Sequence, residues 1–407
     1  SYITNGGGCH EGTGYWNYGM HYAIRYVLSW ENATGKKHPA LEIEELKKTL
    51  HFPLDFTGIT FGDNDGWHPS GMFFMLAKRL NQPEAALRAA AYLPDKVEGR
   101  PADMERLSRV AFGDVLYAAD FIPTSEEMKK LKETHTEKKE PVARIYKGLD
   151  WAALADDSAF PSLRLSIRGG SSQITGHGHM DLLDFKCMVN GEGMIEGQRG
   201  SGYSPVTFSS FGHYLYSRSS AAKSTLFVDG LGCRENAVCS VTEVEQDKDL
   251  LGIRIDASEI YMPNWRENFI GRLFLMVENR YWLVIDTAPG HSMESRFHTY
   301  ANCTAGTDEA LLKKGEEEMT MTFASMGKGV IQESRGMPTL PIQQTQIIRW
   351  ISPRSKNSLQ VTALNPGTEK LGLELSKDKD GGFVIKVSGA DGYQRIIRLT
   401  SKLKLKK

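Results

Sequence analysis

The chain has 407 residues, 40% of them hydrophobic, and its 49 basic and 50 acidic residues give a net charge of −1. This balance provides no global basic field for nucleic acid, and no apolar run approaches the roughly 18 residues that span a bilayer. We therefore expect neither a nucleic acid partner nor a membrane span. The length exceeds that of one compact core, so two domains are expected.

Helical periodicity dominates the first 155 residues. Within 15–28, Trp16, Met20, Ala23 and Val27 recur on one face of a helix. The same periodicity and short connections rich in Gly, Pro and Asp predict further helices at 39–49, 70–80, 84–91, 103–111 and 124–136. The pattern predicts a series of helical hairpins. The dense charge of 126–140 is typical of a solvated helix face.

After residue 155 the pattern changes to short strands separated by turns. Residues 163–168 alternate with period two, which is typical of a half-buried strand. Similar segments predict strands at 226–228, 251–255, 274–277, 281–285, 319–323, 346–350, 359–364, 383–387 and 396–399. Many short strands with turn signals predict a large antiparallel β-sandwich. The expected architecture is α+β, with a helical domain at 1–155 and a β domain at 156–407.

Two smaller predictions concern the cysteines and the C-terminus. The five cysteines form no CxxC pair, so they indicate neither a disulfide framework nor a thiolate zinc site. Cys233 and Cys239 would pair only if they flank a turn. The basic segment 402–407 is predicted to be a frayed, solvated tail.

A His-x-His motif followed by a carboxylate is the strongest chemical signal in the chain. His177 and His179 point to one face if the backbone is extended. Apolar residues from 182, an Asn190-Gly191 turn and a returning strand predict a hairpin that brings Glu196 back beside His179. Imidazole and carboxylate suit zinc or a similar ion. The alternative is a pair of hydrogen-bonded or surface histidines without a further role.

Several segments, taken in order, resemble the heparinase II/III-like family of polysaccharide lyases. They are the His-x-His-x-Asp motif, Glu-Gly-Thr-Gly-Tyr-Trp-Asn-Tyr-Gly at 11–19, Phe-Gly-Asp at 61–63 and Ser-Ser-Ala-Ala-Lys-Ser-Thr-Leu-Phe-Val-Asp-Gly at 219–230. The resemblance implies an (α/α) toroid packed on an antiparallel β-sandwich, with the active site in the cleft between them. Because 1–155 supplies too few helices for a full toroid, we expect its C-terminal part.

The chemistry that the resemblance implies is β-elimination on a uronic-acid-containing acidic polysaccharide, glycosaminoglycan- or alginate-like. The uronate carboxylate must be neutralised, a base must take the neighbouring proton, and an acid must protonate the leaving oxygen. The matching positions for these roles are His10 with Glu11, and His177. The resemblance also implies a periplasmic or secreted location, although we recognise no signal peptide at Ser1.

The resemblance further implies a structural zinc ion held by His179 and Glu196. The family's third ligand is His, and this chain has Lys223 there. A protonated lysine cannot ligate zinc. Either the metal is absent and Lys223 forms a salt bridge with Glu196, or another group such as His213 substitutes. We favour the salt bridge, because a Lys–Glu pair can replace the charge of a metal-bridged site.

The family's toroid tyrosine has no equivalent here. Counting from His10 leads to 63–68, which contains no Tyr, and His68 is the nearest residue able to move a proton near neutral pH. Three alternatives follow: a His-based lyase, a different reaction on sugars, or a lost activity. A hydrolase would need paired carboxylates, for which Glu11 with Asp63 or Asp65 is the candidate. A glycan-binding or scaffold protein would need none of these groups.

Candidate substrate-binding residues are aromatic or cationic. Tyr15, Trp16, Tyr203 and Tyr214 could stack on sugar rings, and Arg199 could clamp a carboxylate bidentately. Each has an alternative role: the toroid core for Tyr15 and Trp16, a proton-donating acid for Tyr203 and Tyr214, and an exposed loop charge for Arg199.

Overall fold

The structure is a computed structural model that describes residues 3–4, 6–62, 67, 69–92, 126–127, 129–130, 133, 140–172, 177–200, 202–209, 211–247, 249–262, 265, 268–339 and 343–406. The chain divides into two compact units. The first, here called the helical unit, comprises Ser1–Glu140, Tyr146–Leu149 and Asp157–Phe160. The second, here called the strand unit, comprises Pro141–Ile145, Asp150–Asp156 and Pro161–Lys407.

Short helices follow one long helix in the helical unit. They are α1 (Thr13–Thr34), α2 (Glu44–Lys48), α3 (His51–Phe56), α4 (Gly71–Arg79) and α5 (Pro83–Ala90), with a 3₁₀ turn at Pro39–Glu42. Helix α1 ends at Gly35, whose φ of 66° closes the helix in the left-handed conformation that glycine adopts most readily. Helix α4 begins after Ser70, whose hydroxyl accepts a hydrogen bond from the backbone N–H of Phe73.

The helices predicted at 15–28, 70–80 and 84–91 are confirmed as α1, α4 and α5. The segment 39–49 was predicted as one helix but is divided at Ile43, which is extended with ψ of 124°. Helix α3 was not predicted. The segments 103–111 and 124–136 lie wholly or mostly outside the described residues. The described helices are few, and a toroid stays a prediction.

A buried carboxylate organises the core of the helical unit. Asp55 accepts hydrogen bonds of 2.6 Å from the guanidinium of Arg88 and from the phenol of Tyr146. The Tyr146 ring lies 5.3 Å from Phe52 and 5.4 Å from Phe56, centroid to centroid. Because both carboxylate oxygens have partners, the charge is tolerated in an apolar surrounding.

Twenty-one strands are recorded among the described residues. They are β1 (Val142–Tyr146), β2 (Trp151–Ala155), β3 (Leu163–Arg168), β4 (Gly170–Ser171), β5 (Phe185–Val189), β6 (Glu192–Ile195), β7 (Leu226–Val228), β8 (Val238–Asp247), β9 (Leu250–Asp256), β10 (Gly271–Val277), β11 (Tyr281–Thr287), β12 (His291–Thr299), β13 (Asn302–Ala305), β14 (Glu309–Lys314), β15 (Glu317–Ser325), β16 (Val330–Arg335), β17 (Gln346–Ser355), β18 (Gln360–Pro366), β19 (Gly372–Lys377), β20 (Phe383–Ser388) and β21 (Gln394–Leu399).

The strands form four sheets within the described chain. Their orders are β1-β2-β3-β5-β6, β13-β14-β15-β18-β11-β10-β9-β8-β4, β16-β17-β12-β7 and β19-β20-β21. The recorded strand ladders are antiparallel, as in β10 with β11 and β12 with β17. One hydrophobic cluster includes residues of the first three sheets, among them Phe185, Phe274 and Phe297. The chain is therefore an α+β protein with mostly antiparallel sheets.

Every strand predicted from the sequence is present. The structure adds strands that the alternation did not reveal, such as β8 and β12, which carry polar side chains on their exposed faces. The expectation of a frayed C-terminal tail was wrong for most of 402–407. Leu403 is fully buried, Leu405 bridges to Leu399, and Lys406 pairs with Asp378 at 2.8 Å.

The structure also bears on the predictions about cysteine pairing and about a membrane span. All five cysteines are free thiols, so Cys233 and Cys239 do not pair. Among the described residues, no helix combines the length and apolar character needed to cross a bilayer.

Candidate functional site

The predicted hairpin is confirmed and leads directly to Glu196. Strands β5 and β6 are joined by Asn190 and Gly191, whose φ values of 46° and 90° suit a type I′ turn. After β6 the backbone N–H of Glu196 donates to the carbonyl of His298 at 2.8 Å. The hairpin thus anchors Glu196 to the neighbouring strand β12.

Glu196 is buried and carries two ion pairs. Its Oε1 lies 2.9 Å from Nζ of Lys314, and its Oε2 lies 3.0 Å from a guanidinium nitrogen of Arg199. Lys314 also donates to the carbonyl of Gly193 at 3.0 Å. The sequence-based salt bridge between Glu196 and Lys223 is therefore corrected: within the described chain Glu196 is paired by Lys314 and Arg199. The predicted carboxylate clamp, Arg199, holds a carboxylate of the protein itself.

Lys223 faces the second histidine of the His-x-His motif instead. Its Nζ lies 2.9 Å from Nδ1 of His179, and both side chains are more than nine-tenths buried. An ammonium group can only donate, so Nδ1 accepts and the proton of a neutral ring resides on Nε2. The lone pair of Nδ1 is then used to accept from Lys223, and Nε2 carries the proton. Neither ring nitrogen of His179 has a lone pair left for another partner.

A second buried carboxylate lies close to the Lys223 side chain. Asp184 is 1% exposed, and its Oδ1 accepts from the backbone N–H of Ser224 at 2.7 Å. A Cβ added at Gly197 would lie 3.5 Å from Cδ of Lys223 and 3.7 Å from Oδ2 of Asp184. Burial raises the pKa of Asp184 to about 6, against the opposing attraction of Lys223 and Lys186.

Zinc does not fit this set of side chains. Nδ1 of His179 accepts from an ammonium group, and both oxygens of Glu196 are paired with cations. No group of three or more His, Cys, Asp and Glu is placed to hold a metal in the part of the chain that the structure describes. The side chain of His213 lies outside that part. The zinc implied by the resemblance therefore has no suitable donor set at His179 and Glu196.

The first histidine of the motif has a different environment. Nδ1 of His177 lies 3.1 Å from the phenolic oxygen of Tyr203, and its ring meets the ring of Phe208 edge-on at 5.4 Å. Tyr203 and Phe208 are also in contact, with centroids 4.9 Å apart. An imidazole and a phenol are both side chains that can act in general acid–base chemistry.

Four exposed aromatic residues, including Tyr203, lie within 203–214. Tyr203, Phe208, Phe211 and Tyr214 are 52%, 59%, 65% and 76% exposed, and we call these four residues the aromatic platform. Large exposed aromatic groups in one loop are unusual unless they bind something. Faces of sugar rings that carry C–H groups are suitable partners for such rings, because they are apolar while the ring edges are polar.

Arg218 fixes the loops that carry the pair. It is 3% exposed and donates to the carbonyl of Gly178 from Nε at 3.1 Å and from Nη2 at 2.6 Å. Its Nη1 donates to the carbonyl of Thr207. The carbonyl of Arg218 accepts from the N–H of Met180 at 2.8 Å. One buried guanidinium therefore connects the His-x-His loop to the loop of the aromatic platform.

The remaining predicted residues lie in the helical unit. His10 is exposed, and Glu11 and Tyr15 are half-buried at the start of α1. Trp16 is 2% exposed, and its indole N–H donates to the hydroxyl of Thr49 at 2.7 Å. Trp16 is thus a core residue, and the prediction that it stacks on sugar is corrected.

His68, Asp63 and Asp65 lie outside the described residues. The roles predicted for them, and for His10, Glu11 and Tyr15, stay predictions.

The sequence analysis missed Phe208, Phe211, Arg218 and Lys314. The two phenylalanines could have been found from their spacing with Tyr203 and Tyr214 in a loop flanked by Gly and Pro. Arg218 and Lys314 gave no local signal, because their partners are 40 and 118 residues away.

Comparison with known proteins places the chain in a family. The model of the heparinase II/III-like C-terminal domain matches residues 151–363, just over half of the chain. The chain therefore belongs to the heparinase II/III-like family. No curated protein matches it closely enough to count as a relative.

Solved structures share the fold of this chain. The heparan sulfate lyase of Pedobacter heparinus matches with a TM-score of 0.61 and 11% identity, covering 98% of this chain and 60% of that one. A heparinase III matches with a TM-score of 0.58 and 12% identity, covering 98% and 59%. The chain spans less than two thirds of the length of these structures. At such identities the likeness establishes the fold alone.

Proposed function

We propose that this chain belongs to a polysaccharide lyase that cleaves a uronic-acid-containing acidic polysaccharide, glycosaminoglycan- or alginate-like, by β-elimination. The observation that carries the proposal is the contact of His177 with Tyr203, a residue of the aromatic platform. Family membership and the fold of the heparan sulfate lyase structures support it. The proposal includes a periplasmic or secreted location, where such polymers are encountered.

The proposed reaction needs no covalent intermediate. A base removes the proton next to the uronate carboxylate, the electron pair forms the C=C bond, and the glycosidic C–O bond breaks as its oxygen gains a proton. His177 and Tyr203 carry these proton transfers. The rings of Tyr203 and Tyr214, together with Phe208 and Phe211, position the sugar units.

The uronate carboxylate also has to be neutralised. We assign this task to His10 near the start of α1, with Glu11 and His68 as further proton-transfer candidates. The same proposal assigns the described helices to the C-terminal part of an (α/α) toroid and the strands to a β-sandwich. No step depends on zinc, because the donor set at His179 and Glu196 does not suit it.

The test is ultraviolet absorbance of the unsaturated uronate product on heparin, heparan sulfate, chondroitin sulfate, hyaluronan, alginate and pectin. The assay uses the longest polypeptide that the gene encodes, with His177→Ala and Tyr393→Phe in parallel. Tyr393 bonds to Tyr281 in another part of the strand unit and serves as the matched control. Absorbance that rises with wild type and Tyr393→Phe, but not with His177→Ala, would support the proposal.

A second candidate is favoured by the aromatic platform itself. Exposed rings can bind glycan without cleaving it, and a lost toroid tyrosine is consistent with such a protein. No product on any polymer from the folded protein, combined with retention on an immobilised acidic polysaccharide, would replace the lyase proposal with a glycan-binding one.

A further inference from the structure

The position that corresponds to the family's third zinc ligand is occupied by a buried cation of the protein. Lys223 is 6% exposed, and its ammonium lies 2.9 Å from Nδ1 of His179. A buried ammonium is costly unless it is paired or hydrogen-bonded. The structure supplies an acceptor at His179 and, beside the lysine stem, the buried carboxyl of Asp184.

The backbone next to Lys223 is fixed by the large sheet. The N–H of Ser224 donates to Asp184, and the carbonyl of Ser224 accepts from Arg272 at 3.2 Å. Arg272 is itself held by Asp286 through bonds of 2.7 and 2.9 Å. Because its backbone is held in this way, Lys223 has a defined position relative to His179, unlike a flexible contact at the surface.

The loop on the other side of this contact carries the proposed catalytic histidine. His179 is separated from His177 only by Gly178, and neither Gly178 nor Met180 belongs to a strand or helix. A bound metal would tether such a loop by ligating the histidine. In this protein the ammonium of Lys223 bonds to His179 and so holds the loop. The charge of Glu196 is neutralised separately by Lys314 and Arg199.

We propose that Lys223 replaces the metal ion as an internal cation that orients His179, and with it the His-x-His loop, so that the protein folds and works without zinc. Lys223 is a positioning residue in this account, because it acts through His179 and does not touch the substrate. The inference concerns the strand unit alone and does not depend on the lyase proposal.

The first test measures zinc in the wild-type protein. Zinc content by plasma mass spectrometry should stay far below one ion per chain, and the melting temperature should not change with EDTA or added zinc. Stoichiometric zinc whose removal lowers the melting temperature would overturn the proposal. This measurement needs no variant, so it remains decisive if a substitution prevents folding.

The second test reads the state of His179 by nitrogen NMR of protein labelled at histidine. We expect an unprotonated Nδ1 and a protonated Nε2 in the wild type, as an accepting Nδ1 requires. Lys223→Met should shift the His179 signals, whereas Lys313→Met, at a side chain that is 59% exposed, should not. An unchanged His179 spectrum in folded Lys223→Met would show that the lysine does not orient the ring.

Discussion

The phenolic oxygen of Tyr203 lies 3.1 Å from Nδ1 of His177, although the two residues are 26 positions apart in the chain. The contact joins two loops whose described residues, 177–184 and 202–209, belong to no strand or helix. The buried Arg218 supports this contact by donating hydrogen bonds to the carbonyls of Gly178 and Thr207. The pair therefore lies at the surface and is supported by a buried, charged side chain.

Tyr203→Phe should lower kcat while leaving KM nearly unchanged. The substitution keeps the ring and its contact with Phe208, and removes only the hydroxyl that lies beside Nδ1 of His177. General acid–base groups contribute roughly 10² to 10⁴ in rate. Steady-state kinetics on the polymer found active in the screen would measure this loss, with Tyr393→Phe as control. A kcat equal to that of the wild type would show that the Tyr203 hydroxyl takes no part in proton transfer.

Phe208→Ala and Phe211→Ala should weaken substrate binding more than they slow turnover. Both rings are mostly exposed, so their loss costs little stability, and each removes an apolar face available to a sugar ring. Removing one aromatic contact worth about 1 to 1.5 kcal/mol raises KM roughly tenfold. Tyr26 on α1 is similarly exposed, so Tyr26→Ala is the matched control. Unchanged KM in both alanine variants would contradict a binding role for the platform.

Arg218→Met should destabilise the protein and loosen both loops. The variant keeps an aliphatic stem but leaves the carbonyls of Gly178 and Thr207 without their charged donor, which costs roughly 3 kcal/mol. Urea unfolding would measure the loss. Arg354→Met, at a side chain that is 69% exposed, should change stability far less. Equal stability of the two variants would argue against the clamp.

Asp286→Asn should be among the most destabilising conservative substitutions in the strand unit. Arg272 is fully buried and bonded bidentately to Asp286, so removal of the carboxylate charge leaves a guanidinium without its counter-ion. Breaking one partner of such a pair costs roughly 3 to 5 kcal/mol. Calorimetry would give the value, and Glu318→Gln at the exposed Lys313 pair is the control. A cost below about 1 kcal/mol would contradict this assignment.

Stability should fall in mild acid because of His298. Burial, followed by repulsion from Arg296 and Lys223, lowers the pKa of His298 from 6.5 to about 3. Below about pH 6.5 the unfolded chain therefore binds a proton at His298 that the folded chain does not bind. The stability present above that pH is lost as the pH falls toward 3. Between pH 6.5 and 4 the loss is roughly 3 kcal/mol.

The measurement is the free energy of unfolding as a function of pH for the wild type and His298→Gln. Glutamine can still bond to Thr345, whose hydroxyl lies 2.9 Å from Nδ1 of His298, but it does not titrate. The variant should show a flatter profile over this range. Parallel profiles would show that other groups, such as paired carboxylates, cause the acid sensitivity.

Local patterns were reliable wherever short-range geometry decides the structure. Alternation predicted β3, and Asn190-Gly191 predicted the turn between β5 and β6, because a left-handed backbone at both turn residues favours Asn and Gly. The same reasoning failed at residues 402–407. Their charge suggested a solvated tail, but Leu403 is buried and Lys406 is paired with Asp378.

The sequence by itself determined the family, many of the strands, the helices α1, α4 and α5, and which histidines merit attention, since each of these depends on short segments of the chain. Only the tertiary structure decided how their charges are paired. Lys223 is hydrogen-bonded to His179, and Glu196 is paired with Lys314 and Arg199. Two of these pairs, Lys223 with His179 and Glu196 with Lys314, are 44 and 118 residues apart, and their choice depends on which side chains the fold brings together. No local pattern specifies that.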